Sequence, residues 1–216
     1  VNVADDWKTV LDFIGGLSGK LLALPEVREV KALALSNTGQ HLAAIAELET
    51  VVATDDPSPE RLGLLGGRYK RLWRIATAES ERLQYLNQAI NHYERGMELD
   101  LNEYFCSCNL PRLYRQRNRK GDEERAQSVL RLVIAACERA KRRGATDEFL
   151  RPTLLGAAFD VVDADLAEEL AHEVQAEGAA LWKIDSTLAD LESSVLQVQD
   201  ASQRARLEAV ISRLKA

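Results

Sequence analysis

Cysteine and histidine are where chemistry would have to start in this chain, and its 216 residues hold three of each. Cys106 and Cys108 flank Ser107, a spacing that offers two soft ligands to a metal. A structural zinc site needs four ligands, and His41, His92 and His172 fall at no finger-like distance from the pair. An odd number of thiols, two of them separated by one residue, fits reduced cysteines in a cytosolic setting rather than a disulfide framework. Cys137 stands one helical turn before Lys141, which could lower a thiol pKa, but Ala135-Ala136-Cys137 reads first as a seam of small packing residues. His92 and Glu94 are two apart and face different ways on a helix. His41 leads a segment whose inward positions are taken by alanine and leucine. Gly63-x-x-Gly66-Gly67 lies inside a helical pattern and not after a strand, so it is no phosphate loop. No nucleophile, acid–base pair, ligand set or cofactor cradle is assembled, and the expectation is a protein without catalysis, metal or cofactor.

The chemistry that does recur is cationic. Asn109, Arg112, Arg115 and Arg119 follow one another at intervals of three, three and four, which would stripe one helical face with positive charge. Lys70 and Arg71 come just after Gly63 and Gly67, where little side chain blocks the approach of a ligand. Guanidinium forks match carboxylates, so these six residues are the expected partner-binding site, and the expected partner is a protein or peptide with an acidic segment. The plainer alternative is a solvated face in which Arg115, Arg117, Arg119 and Lys120 complete a helix C-terminus. Net charge is −6, distributed as −6 over residues 1–60, +8 over 61–144 and −8 over 145–216. That asymmetry concerns association and not fold. A basic middle interleaved with Tyr69, Trp73 and Tyr114 also keeps an RNA-binding reading open, against which stands the acidic balance of the whole chain.

These residues must be held by helices. Trp7, Val10, Leu11, Phe13 and Ile14 recur at three and four, as do Leu166, Leu170 and Val174, and then Leu181, Ile184, Leu188, Leu191 and Val195. Pro25, Asn37-Thr38-Gly39, Asp55-Asp56-Pro57-Ser58-Pro59, Lys120-Gly121-Asp122 and Gly144-Ala145-Thr146-Asp147 separate the helical stretches with turn and capping chemistry. About eleven helices are expected, mostly in short-linked pairs, and no strand. A hydrophobic content of 46% with 29% charged residues places the chain among folded proteins and away from disorder. No apolar run approaches the roughly 18 to 20 residues of a membrane span. Val1 to Asp6 has neither the basic nor the apolar region of a signal peptide. A cytoplasmic location is expected, and an opening valine is compatible with a piece of a longer protein.

The helical stretches repeat. Gly39-Gln40-His41-Leu42-Ala43-Ala44 through Leu48 recurs in outline as Gly121-Asp122-Glu123-Glu124-Arg125-Ala126 through Leu130, with glycine to alanine at five and alanine to leucine at four. Ala89 through Tyr93 to Asp100 keeps the small-then-large spacing. Glycine closes a tight turn, alanine lets two helices approach, and the large residue one turn on fills the gap. Leu62, Leu65, Gly66 and Tyr69 resemble the large-x-x-Leu-Gly-x-x-Tyr pattern of the tetratricopeptide repeat, and Leu155-Gly156-x-x-Phe159 is a weaker copy. Ala44, Ala89, Ala126 and Ala167 lie 45, 37 and 41 apart, longer and less even than a period of about 34. Eleven extra residues from Trp73 to Leu83 imply an extended turn after that helix.

The order of these motifs, from Pro25 to Val195, resembles one branch of that family, the TRAFs-binding domain of apoptosis-signal-regulating kinases and its bacterial relatives. Its carriers are Ala32 to Gly39, Leu62 to Arg71, and Ala89 to Asp100 with Glu103-Tyr104-Phe105; around Cys108 to Tyr114 the chain departs from the branch. The resemblance implies an all-α fold: an α-solenoid of about four irregular tetratricopeptide-like helix pairs with extra N- and C-terminal helices. It also implies a protein–protein interaction module or scaffold, in bacteria often one tied to signalling or defence, whose first helices line a concave, basic groove. The expected organisation is an N-terminal capping helix at 1–24, repeats at 25–178 and C-terminal capping helices at 179–216. The apolar stripes of Leu181, Ile184, Leu188, Leu191 and Val195 and of Leu207, Val210, Ile211 and Leu214 are expected to cap the repeats; the alternatives are a seam for a homo-oligomer, making the chain a self-association domain, and a coupling helix to a further domain.

Overall fold

The computed structural model describes residues 6–54, 57–145, 149–177 and 181–215, with the side chains of 177 and 181–186 set aside. The turn residues Asp55-Asp56 and Thr146-Asp147, the expected boundary at 178/179, and the side chains of Leu181, Trp182 and Ile184 therefore lie outside the described residues. The described residues form helices and connecting turns, and no strand is found among them. The chain divides into two compact units, Val1–Asp100 and Leu101–Ala216. Thirteen helical segments are present among the described residues, more than expected because two, α2 and α7, are only four residues long.

The first unit contains α1 (Trp7–Gly15), α2 (Gly19–Leu22), α3 (Pro25–Asn37), α4 (His41–Thr54), α5 (Pro59–Ile75) and α6 (Glu79–Leu99). On α1 only Ile14 is buried, and Phe13, which the periodicity placed inward, is 70% exposed. Helix α3 starts on Pro25, whose missing N–H costs nothing in a first turn. It stops where Gly39 takes φ +84° and the Gln40 N–H reaches back to the Leu35 carbonyl at 2.8 Å. The chain then reverses into α4, which returns Ala44, Ile45 and Leu48 to Ala32 and Leu35 in one core that also holds Leu65 and Leu72. Ser58 caps α5, its hydroxyl accepting the Arg61 N–H at 3.2 Å.

The turn after α5 corrects a sequence expectation. It is not extended: Ala76, Thr77 and Ala78 alone join α5 to α6. The extra length lies instead in the helices, 17 residues in α5 and 21 in α6. An insertion within a helical pattern can lengthen the helices as readily as the loop, because each added residue brings its own backbone hydrogen bond.

The second unit contains α7 (Tyr104–Ser107), α8 (Leu110–Arg117), α9 (Asp122–Arg142), α10 (Leu150–Asp160), α11 (Ala164–Glu177), α12 (Leu181–Val195) and α13 (Ala201–Leu214). Helix α8 ends at Asn118 in the left-handed region, φ 51°, and Gly121 at φ +85° opens α9. Val162 sits left-handed at φ 61° between α10 and α11, where a β-branched residue is disfavoured. Leu155, Phe159, Ala167, Leu170, Leu191, Leu207 and Val210 meet in one core. The stripe on α13 is thus covered inside its own unit, with Leu207 and Val210 wholly buried.

Candidate partner-binding site

The face that α5 offers to a ligand is set by the face it buries. Leu62, Leu65, Gly66 and Leu72 point into the unit. Gly66 has no room for more than hydrogen: a Cβ there would stand 3.1 Å from three atoms of the Tyr93 ring on α6. Close approach of the two helices is the reason for this glycine. Tyr69 donates its hydroxyl proton to Glu49 Oε1 at 2.8 Å and stacks on His92, ring centroids 5.4 Å apart and planes 7° from parallel. With that side filled, Lys70 is half-buried and Arg71 is exposed. Arg71 makes no ion pair among the described residues. Helices α3 and α5 are joined on this side by Glu29, whose carboxylate accepts Arg61 Nε at 2.7 Å.

Helix α8 behaves differently from the expected stripe. Asn109 is buried, and its amide donates to the Phe105 carbonyl at 2.9 Å. Arg112 is also buried and clamped by carboxylates: Nη2 to Asp160 Oδ2 at 3.1 Å, Nε to Asp160 Oδ1 at 3.3 Å, and Nη1 to Asp190 Oδ2 at 3.5 Å. Burial by itself would work against the guanidinium's charge, but Asp160 and then Asp190 outweigh it and raise its pKa above the ordinary value. Arg115 reaches Glu123 at 3.1 Å and Asp160 Oδ1 at 3.8 Å. Ser194 on α12 donates to Asp160 Oδ1 at 2.7 Å. Arg112 also takes the space over Gly156, where a Cβ would stand 2.6 Å from its Nη2.

The regular spacing of the stripe breaks at its end. Asn118 leaves the helix, so Arg119 is exposed in the turn, and its backbone N–H is engaged by Asp122 Oδ2 at 2.9 Å. Arg117 forks onto the same Asp122 at 2.6 and 2.9 Å, and this pairing, foremost, holds the carboxyl below its usual range. Of the six expected site residues, the structure therefore leaves Arg71 and Arg119 exposed, Lys70 and Arg115 half-buried, and Asn109 and Arg112 inside. It brings Arg112 and Arg115 together on Asp160 and places Lys70 and Arg71 in the other unit.

Sequence reasoning missed Asp160, Asp190 and Ser194. The one available signal was Asp160 itself, an acid set in the apolar run Leu154 to Val162. The thiols of Cys106 and Cys137 are buried, and burial, followed by the Glu103 charge, pushes the Cys106 pKa up, the opposite of a reactive thiolate. Among the described residues no group of three or more histidine, cysteine or acidic side chains could hold a metal ion.

The model of the Tetratricopeptide Repeats-Sensor family matches residues 3–114, more than half of the chain. The chain belongs to this family. It also resembles a solved structure, a thermophilic tetratricopeptide protein from Thermus thermophilus, at 15% identity and a TM-score of 0.58, over 95% of this chain and 91% of that one. At that identity the likeness establishes the fold alone, and the all-α helical-repeat class expected from the sequence is the one found. No curated protein matches the chain. Tetratricopeptide repeats generally mediate protein–protein interaction, and among the described residues no helix is long and apolar enough to cross a membrane.

Proposed function

We propose that the chain is a non-enzymatic interaction module that binds an acidic or amphipathic segment of a partner protein along α5 of its first unit. The observation that carries this reading is the contrast between Arg71 and the cations of α8. Arg112 and Arg115 are engaged by carboxylates of their own unit, whereas Arg71, beside Lys70, is exposed on a helix whose opposite face is fixed by the core. Exposed guanidinium groups recognise carboxylates in a fixed geometry. Arg119 is a second, separate candidate contact; Asn109, Arg112 and Arg115 act by holding α8 in place. The resemblance to the TRAFs-binding branch and the family's description as a sensor support a regulatory role in a signalling or defence system in the cytoplasm.

The test is a crosslinked pull-down from native lysate with wild type beside the K70E/R71E double variant, with and without ribonuclease, read by mass spectrometry. A protein lost only in the double variant supports the reading. Capture that depends on RNA, or capture of the chain itself alone, refutes it.

A further inference from the structure

Arg68, one turn before Arg71 on α5, is a cation with no counter-charge among the described residues. Its Nε is buried with no hydrogen-bond partner, and it makes no ion pair among the described residues. It lines a small dent floored by Ala32, Leu33, Leu48 and Leu64. Glu29, which lines the same dent, is held by Arg61 at 2.7 Å. An unmatched buried polar atom costs stability unless something satisfies it. Desolvation, first, holds the Arg68 pKa below its ordinary value; Tyr93 opposes it and the neighbouring Arg71 adds to it. Arg68 and Arg71 also lie close enough to His41, at the start of α4, for their charges to add to burial in lowering the imidazole's pKa. Ser36 Oγ holds His41 through Nδ1 at 3.2 Å, and Arg71 follows Arg68 by three residues on the same face of α5.

We propose that Arg68, with Arg71 three residues on along the same face of α5, forms an oxyanion-binding site in the first unit, which takes a single carboxylate or phosphate group onto the unmatched Arg68 fork. The dent is too small for a whole organic ligand, since pockets for such molecules run to roughly several hundred Å³. The anion is therefore a free ion or one group of a longer ligand. This site stands on Arg68 and does not depend on the partner reading above: its test needs no protein partner, so either can fail alone.

The experiment is a titration of full-length, nitrogen-15-labelled protein with inorganic phosphate and, separately, with acetate, against chloride at matched ionic strength. The readouts are the arginine Nε–H resonances and the melting temperature. A saturable shift of the Arg68 Nε–H signal, with a rise in melting temperature that R68M abolishes, is the expected result. Response to phosphate alone assigns a phosphoryl ligand, and response to both anions admits a carboxylate. Should R68M fail to fold, the wild-type Arg68 resonance still decides. No saturable shift of the Arg68 signal in either anion, or a rise in melting temperature undiminished in R68M, overturns the proposal.

Discussion

Replacing Arg112 by methionine keeps the stem's bulk and removes the charge that three helices share. Asp160, whose side chain is 1% exposed, would lose partners at 3.1 and 3.3 Å and keep only Ser194 at 2.7 Å and Arg115 at 3.8 Å. Asp190 would lose its contact at 3.5 Å. Removing one member of a buried pair costs about 3–5 kcal/mol, because the other charge stays buried and unmatched. The surviving Ser194 and Arg115 contacts place R112M near the lower end, about 3 kcal/mol. With a urea slope of about 1–3 kcal/mol per molar, the denaturation midpoint should fall by roughly 1–3 M. Because D160N removes the stranded charge, the R112M/D160N double variant should lose less than the sum of the single losses, by about 1 kcal/mol or more. A single R112M loss within about 0.5 kcal/mol, the range of ordinary surface changes, together with an additive cycle, would refute the buried clamp and return Arg112 to the surface.

Two further outcomes follow from the first unit. Gly66→Ala should cost about 1–3 kcal/mol, since its Cβ meets the Tyr93 ring at 3.1 Å and the buried ring must shift; thermal denaturation checks it. His92, buried against Tyr69, has its pKa lowered from 6.5 to about 4, chiefly by burial and then by Arg95. The unfolded chain therefore takes up this proton first as pH falls. The linked stability is complete above the unfolded value of 6.5 and is lost progressively as pH drops toward 4. The loss is on the order of 3 kcal/mol, and H92F should flatten that slope in urea melts between about pH 4.5 and about 7; an unchanged slope would clear His92 of any part in it.

The local packing code was legible in the sequence. Ala44, Ala89, Ala126 and Ala167, singled out only by spacing, are all fully buried, on α4, α6, α9 and α11. After the first three a large buried residue follows at four, Leu48, Tyr93 and Leu130, whereas Ala167 is followed at four by Ala171. What spacing could not supply was the partner across the fold. Arg112 and Arg115 do share a face, as their interval of three requires, but whether that face meets water or a carboxylate depends on Asp160, 48 residues away from Arg112 in sequence. The stripe also ran past its helix, because Asn118 turns left-handed. Likewise, nothing local shows that the Arg68 Nε is buried without a partner while Arg71 is exposed, or that Glu29, in the same dent as Arg68, is held by Arg61.

Whether Arg71, with its half-buried neighbour Lys70, holds an acidic partner segment is decided by the affinity of a captured partner fragment as a function of salt, measured by calorimetry for wild type and K70E/R71E. Binding that weakens steeply with salt in wild type, and is at least about tenfold weaker with a flatter salt dependence in the double variant, is the result expected when rim charges drive association. Equal affinities with the same salt dependence would contradict that role and place the binding surface elsewhere on the chain.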